Sequence, residues 1–144
     1  FLERNSLVRR AEEHLPRKHF LQSTPLFGDS ISGALQDRMA SYLKEKEQQG
    51  KKRIKPGKET CLYLVEEGAV AVTYKGKKID TVIRGGYFGE DRVLNQTLFD
   101  YETEDETKLF CIPASALEGV PIVQWKLLES LNKRIRLKDA IFPL

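Results

Sequence analysis

Gly85-Gly86-Tyr87-Phe88-Gly89-Glu90, continued by Asp91-Arg92-Val93-Leu94-Asn95-Gln96-Thr97-Leu98-Phe99-Asp100, is the stretch on which the reading of this chain turns. Glycines permit close backbone approach, and peptide N–H groups exposed at the start of a short helix after Gly89 form an anion cradle. No Gly-Lys-Ser/Thr follows, so the glycines do not make a nucleoside-triphosphate loop of the Walker kind.

Working outward, residues 52–83 change period: Leu62, Leu64, Val70, Val72 and Tyr74 alternate with other residues, and Gly57, Gly68, Gly76 and Gly85 punctuate the runs. This predicts short antiparallel strands, with hairpins at Glu66-Glu67-Gly68 and at Lys75-Gly76-Lys77. Segments 98–103 and 107–112 predict two further strands joined by an acidic turn at Glu104 and Asp105.

The flanks read as helices. Leu7, Val8, Ala11 and Leu15 have helical spacing, with Pro16 expected to stop or kink that helix and a short helical turn at His19 to Leu21. A second helix, capped by Asp29 or Ser30 and ended by Gly50, is expected to bury Ile31, Ala34, Leu35, Met39, Tyr42 and Leu43. After Pro113 come a short helix through Leu117 and a long one from near Pro121, with an apolar stripe of Ile122, Trp125, Leu128, Leu131 and Ile135. Helices, then six to eight strands, then helices predict an α+β fold. It is an antiparallel β-barrel or jelly roll with N- and C-terminal flanking helices, divided into an N-terminal helical segment (1–28), the barrel (29–120) and a C-terminal helix (121–144).

Composition bounds the function. With 144 residues and 40% apolar content, one domain with one core is expected. No run approaches the ~20 apolar residues of a membrane span, and the first residues lack the apolar centre of a signal peptide. Cys61 and Cys111 lie in strand-like runs away from other ligating residues, which predicts packed thiols in a reducing, cytoplasmic setting. The start at Phe1, without a methionine, reads as a processed chain or, more simply, as a piece of something longer. A net charge of +3 argues for no nucleic-acid partner, and the seven basic residues of 44–58 are interrupted by Glu45 and Glu47, as in a solvated helix end and turn. Lys126, Lys133, Arg134, Arg136 and Lys138 have the charge to touch DNA phosphates, but no helix-turn-helix follows them. His14 and His19 are isolated, and no spacing supports a metal site, a nucleophile or catalysis.

The run from Gly85 to Glu90 resembles the Gly-x-x-Phe-Gly-Glu signature of cyclic-nucleotide-binding domains, and the likeness extends over residues 21–137. The resemblance implies that Gly89 belongs to the loop holding the cyclic phosphate, and that Glu90 accepts a hydrogen bond from the ribose 2'-hydroxyl. The family then carries a phosphate-binding arginine, small alanines and a hydroxyl residue. Aligned on the closing strand, Thr97 stands at the arginine, Leu98 and Phe99 at the alanines, and Asp100 at the hydroxyl residue. A lost charge-assisted bond to phosphate costs ~1.5–3 kcal/mol, so the resemblance implies a degenerate site and no cofactor bound in this domain. Arg92 is the candidate substitute phosphate contact, although it is expected instead to pair with Glu90 or Asp91, the shorter reach, or to snorkel outward from the short helix. Trp125 is expected to be core or an interdomain contact rather than a cap on a purine.

The altered cassette and the phrase from Pro121 to Asp139 resemble the third, non-binding domain of apicomplexan cGMP-dependent protein kinases. That likeness implies a non-catalytic regulatory role, with neighbouring cyclic-nucleotide-binding and kinase domains as partners and cGMP as ligand of the parent. The alternative is a working cGMP or cAMP receptor that uses Glu90 and Arg92.

Overall fold

The computed structural model describes residues 14–28, 31–55, 57 and 59–142. The expected helix beginning at Asn5 and the caps at Asp29 and Ser30 lie largely or wholly outside them. Residues 14–23 are helical (α1), and the helix continues past Pro16 rather than stopping there. The proline ring obstructs the turn that precedes it and leaves the following turn free. α2 (Gly33–Tyr42) starts at Ser32, whose hydroxyl accepts from the Leu35 N–H at 3.2 Å. It ends eight residues before Gly50, because Lys44–Gln48 is a strand, β1, paired antiparallel with the closing strand.

Among the described residues, seven strands form two sheets. β1, β2 (Cys61–Glu67), β5 (Tyr87–Phe88) and β7 (Thr107–Pro113) make one, in the order β1-β7-β2-β5. β3 (Ala69–Tyr74), β4 (Lys77–Ile83) and β6 (Asp100–Thr103) make the other, in the order β4-β3-β6. The turn at Lys75-Gly76 does join a hairpin, β3 to β4. Glu66-Glu67-Gly68 does not: β2 pairs with β5 and β7, so this turn carries the chain from one sheet to the other. Gly68 makes that corner at φ +93°, where a Cβ would stand 2.5 Å from the Glu106 carbonyl oxygen.

Alternation along the central strands separates two cores. Tyr63, Val65, Leu109 and Cys111 face the second sheet and meet Val70, Val72, Ile79, Val82 and Tyr101. Leu62, Leu64, Phe110 and Ile112 point the other way, onto Phe20, Leu21, Leu26 and Phe27 of the N-terminal segment, Met39 of α2, and Val123 and Leu127 of the last helix. Buried on both faces, β2 and β7 read as nearly continuous apolar runs, Leu62 to Val65 and Leu109 to Ile112. This is the expected jelly-roll sandwich with flanking helices.

Two short helices and one long one are the remaining elements of the described residues: α3 (Glu90–Val93), α4 (Ala114–Leu117) and α5 (Pro121–Ile141). The buried stripe of α5 is Val123, Leu127, Leu131 and Arg134. Of the stripe expected from spacing, only Leu131 is fully buried; Ile122, Trp125 and Leu128 are exposed, Trp125 by 64%. Both sets of apolar residues recur at helical steps, and packing against the sandwich chooses between them. No helix of the described residues is long and apolar enough to cross a membrane. Both cysteines are free thiols, and burial pushes that of Cys111 up to about 11.

Candidate functional site

The signature stretch lies where β5, α3 and α5 meet. β5 is held by two pairings with β2, Tyr63 opposite Phe88 and Leu64 opposite Tyr87, and Gly89 then turns the chain into α3 from the left-handed region, at φ +92°. A Cβ there would meet the Cys61 carbonyl oxygen at 3.3 Å, so both backbone and space favour glycine.

Two carboxylates follow, and both are completely buried. Glu90 turns toward α5, where its Oε1 pairs with the Arg134 guanidinium. Arg134 also donates to the Tyr87 carbonyl oxygen at 2.8 Å and lies 3.5 Å from Asp80 of β4. Burial pushes the Glu90 carboxyl up to about 7 against the pull of Arg134, and its Oε2 has no hydrogen-bond partner. Arg134 is fastened to three elements at once: α3, β4 and the loop end of β5.

Asp91 turns the opposite way. Its Oδ2 accepts from the backbone N–H groups of Leu98 and Phe99, each at 3.0 Å, and its Oδ1 accepts from the Tyr101 hydroxyl at 2.6 Å. The backbone N–H of Gln96 closes the same loop on the Asp91 carbonyl at 2.7 Å. A carboxylate of the chain itself therefore satisfies the amides of the loop that follows α3.

The remaining cassette positions separate. Thr97 is exposed, Leu98 half-buried, and Phe99 buried against Tyr74 at 6.4 Å between ring centres. Asp100 pairs with Arg53 across a rim at 2.6 Å. Arg92 pairs with neither Glu90 nor Asp91, contrary to the reading from sequence. Its guanidinium carbon stands 5.1 Å from the centre of the Tyr101 ring, since Glu90 and Asp91 are already consumed on either side. Arg134, grouped in sequence with the outward basic residues of the last helix, is buried and faces the cassette. Tyr101, Asp80 and Arg134 were not singled out as site residues; only the step of three from Leu131 would have placed Arg134 on the buried face.

Among the described residues, no group of three His, Cys, Asp or Glu side chains is placed to hold a metal ion. No protein-family model matches the sequence, and no curated protein shows significant similarity to it. Solved structures do match. The cAMP-bound regulatory subunit PfPKA-R (141–441) of Plasmodium superposes with a TM-score of 0.81 at 16% identity, over 91% of this chain and 48% of that one. The regulatory subunit of a cAMP-independent protein kinase A from Trypanosoma cruzi, bound to guanosine, gives 0.67 at 19% identity, over 85% and 50%. The Trypanosoma brucei counterpart gives 0.68 at 20%, over 89% and 48%; it is a mutant with a glutamate and a valine changed to alanine and a threonine to arginine, bound to cAMP in the A site. The chain thus spans about half the length of these structures, and it has the fold of the cyclic-nucleotide-binding domains of protein kinase A regulatory subunits.

Proposed function

We propose that the chain is a non-catalytic regulatory domain of a cyclic-nucleotide-dependent signalling protein, with a cassette that no longer takes the nucleotide and a role as a relay between neighbouring domains. The observation that carries this reading is the Asp91 carboxylate on the Leu98 and Phe99 amides and the Tyr101 hydroxyl. An internal anion there competes with an external phosphate for the same donors, and it is always present at high effective concentration. Thr97 and Leu98 stand where the resemblance implies an arginine and an alanine, which removes the phosphate's counter-ion. The cAMP-bound Trypanosoma brucei mutant carries a threonine-to-arginine and a valine-to-alanine change, which is the direction such a repair would take here. Arg134, clamped on Glu90, Tyr87 and Asp80, ties α5 to the cassette and supplies a mechanical link by which a neighbouring domain senses α3. The finer assignment, a cGMP-dependent serine/threonine kinase as parent with its other cyclic-nucleotide-binding domains as partners, rests on the sequence resemblance. A kinase domain in the same reading frame supports it; a regulatory subunit without one favours a separate kinase.

The working-receptor alternative needs Glu90 and Arg92 to converge on one ligand. Glu90 instead faces Arg134, while Arg92 lines a cavity that Glu90 does not reach. Titration calorimetry with cGMP and with cAMP, carried to millimolar ligand, tests the proposal: no saturable heat from the folded chain is expected. Saturation below ~10 micromolar, more than about 6.8 kcal/mol of affinity, overturns it.

A further inference from the structure

One end of the second sheet carries an excess of positive charge. β3 ends there at Tyr74, a two-residue turn of Lys75 and Gly76 leads into Lys77 at the start of β4, and β6 begins there at Asp100, opposite Thr73. Arg53 bridges to Glu102, and the Ile54 N–H donates to the Tyr101 carbonyl oxygen at 2.8 Å. This segment therefore runs antiparallel to β6 and delivers exposed Lys55 to the same end. Lys55 and Lys77 are three strand spacings apart, about 15 Å. The last turn of α5 adds Lys138, whose ammonium stands 5.2 Å from the centre of the Tyr74 ring.

Two touching rings gather the ammonium groups. Tyr74 and Phe142 meet edge to face with centres 5.1 Å apart. Lys75 shares the Tyr74 ring with Lys138, at 5.5 Å, and Lys77 lies 5.9 Å from the centre of Phe142. The carboxylates at this end are already engaged, Glu104 with Lys78, Asp100 with Arg53 and Asp139 with Lys138. Among the described residues Lys55, Lys75 and Lys77 enter no ion pair, so their charge is left over. Lys75 is also held at φ +50°, in a turn whose first position favours asparagine or glycine. Backbone preference thus argues against lysine there, and the charge it brings to the tip is what sets it apart from asparagine. The tip protrudes: a Cβ on Gly76 would meet nothing within 4 Å.

A protruding tip with unpaired lysines spread over about 15 Å fits a broad, flat anionic surface, whereas a bound peptide lies in a groove or along a sheet edge. Lysine ammonium groups are point charges on flexible stems, which suits laterally mobile headgroups; the planar fork that matches single carboxylates belongs to arginine. We propose that this end of the sheet is a docking surface for an anionic lipid bilayer, with Lys55, Lys75 and Lys77 as its principal contacts. Glu90, Asp91 and Arg134 take no part in it, so the proposal stands whether or not the cassette takes a nucleotide.

The test is co-sedimentation of the 144-residue chain with vesicles of phosphatidylcholine alone and of phosphatidylcholine with about 30% phosphatidylserine, in about 0.05 M salt. Binding to the second and not to the first is expected, and raising the salt to about 0.5 M should abolish it. Lys75→Asn and Lys77→Ala should each weaken binding about fivefold, and the two combined with Lys55→Ala about a hundredfold. Lys75→Asn installs a residue that the turn prefers, so its loss of binding should come with an unchanged or higher melting temperature, which separates charge from folding. Lys108→Ala makes the same change of charge beside Gly68, at the opposite end of the sandwich, and should leave binding within about 1.5-fold. Absence of binding, equal binding to the two vesicles, or equal losses from Lys108→Ala and Lys77→Ala overturns the proposal. So does saturable binding of polyglutamate by a chain that leaves the vesicles untouched, which would assign the surface to an acidic protein partner.

Discussion

On the α5 side of α3, the buried carboxylate of Glu90 meets a full positive charge; on the loop side, one residue later, that of Asp91 meets two amides and a hydroxyl. The Asp91 side is local: its donors come from the ten residues that follow it. The Glu90 side is long-range, since Arg134 lies 44 positions away on the closing helix. The first arrangement shapes a loop, whereas the second fastens one element to another. In the proposed reading, their difference separates the part of the cassette that would exclude a ligand from the part that would transmit movement.

The largest effect is expected where the local side is broken. Asp91→Ala leaves the Leu98 and Phe99 amides and the Tyr101 hydroxyl facing a buried site without an acceptor, and the cost should be about 3–5 kcal/mol, measured by urea unfolding. A loss under ~1 kcal/mol would mean that water replaces the carboxylate and that the internal-anion account of the closed cassette is wrong.

Breaking the long-range side should cost less globally and act more selectively. Arg134→Met keeps the aliphatic volume and removes the pair with Glu90, for an expected loss of about 2–4 kcal/mol. The discriminating readout is amide exchange: α5 amides should open well before those of β2 and β7. Uniform loss of protection would remove the distinction between a fastener and an ordinary core contact.

A pH series sharpens the comparison further. The Glu90 carboxyl is raised from 4.5 to about 7, so between these values the folded chain keeps a proton that the unfolded chain releases. Stability from this group therefore falls as pH rises through that window, by at most about 1.4 kcal/mol per pH unit. Glu90→Gln should flatten that part of the melting-temperature profile between pH 4.5 and 7. Identical slopes in the two proteins would place the titration elsewhere, with Glu66, whose carboxyl is also raised by burial, the first group to consider.

Much of this was legible in sequence, and the failures have specific causes. The alternation of Leu62, Leu64, Val70, Val72 and Tyr74 between punctuating glycines made these strands readable, and the turn at Lys75-Gly76 marked a true hairpin. Gly68 marked a turn equally well, but a turn residue specifies local backbone and not which sheet receives the next strand. β1, Lys-Glu-Lys-Glu-Gln, carries no apolar alternation; it is a strand because the edge of β7 accepts it, a tertiary effect. The anion cradle around Gly89 and Glu90 was visible as a motif. The role of Asp91 was not, because it depends on the loop returning to within 3.0 Å of it.

The smallest effect tests whether the inner face of α5 alone fastens it. Trp125 and Arg134 are nine residues apart, two and a half turns of helix, so they point in opposite directions. Arg134 is buried at the cassette and Trp125 is 64% exposed, next along its face to exposed Ile122 and Leu128. If the sandwich holds α5 through Val123, Leu127, Leu131 and Arg134, then Trp125→Ala should change stability by no more than about 0.5 kcal/mol and leave α5 exchange unaltered. A destabilisation approaching that of Arg134→Met would show that the outer face is packed in solution, and α5 would then be held from both sides. A neutral result leaves that apolar face free of any task within this chain, which is the condition an interdomain relay requires of the surface it offers to a neighbour.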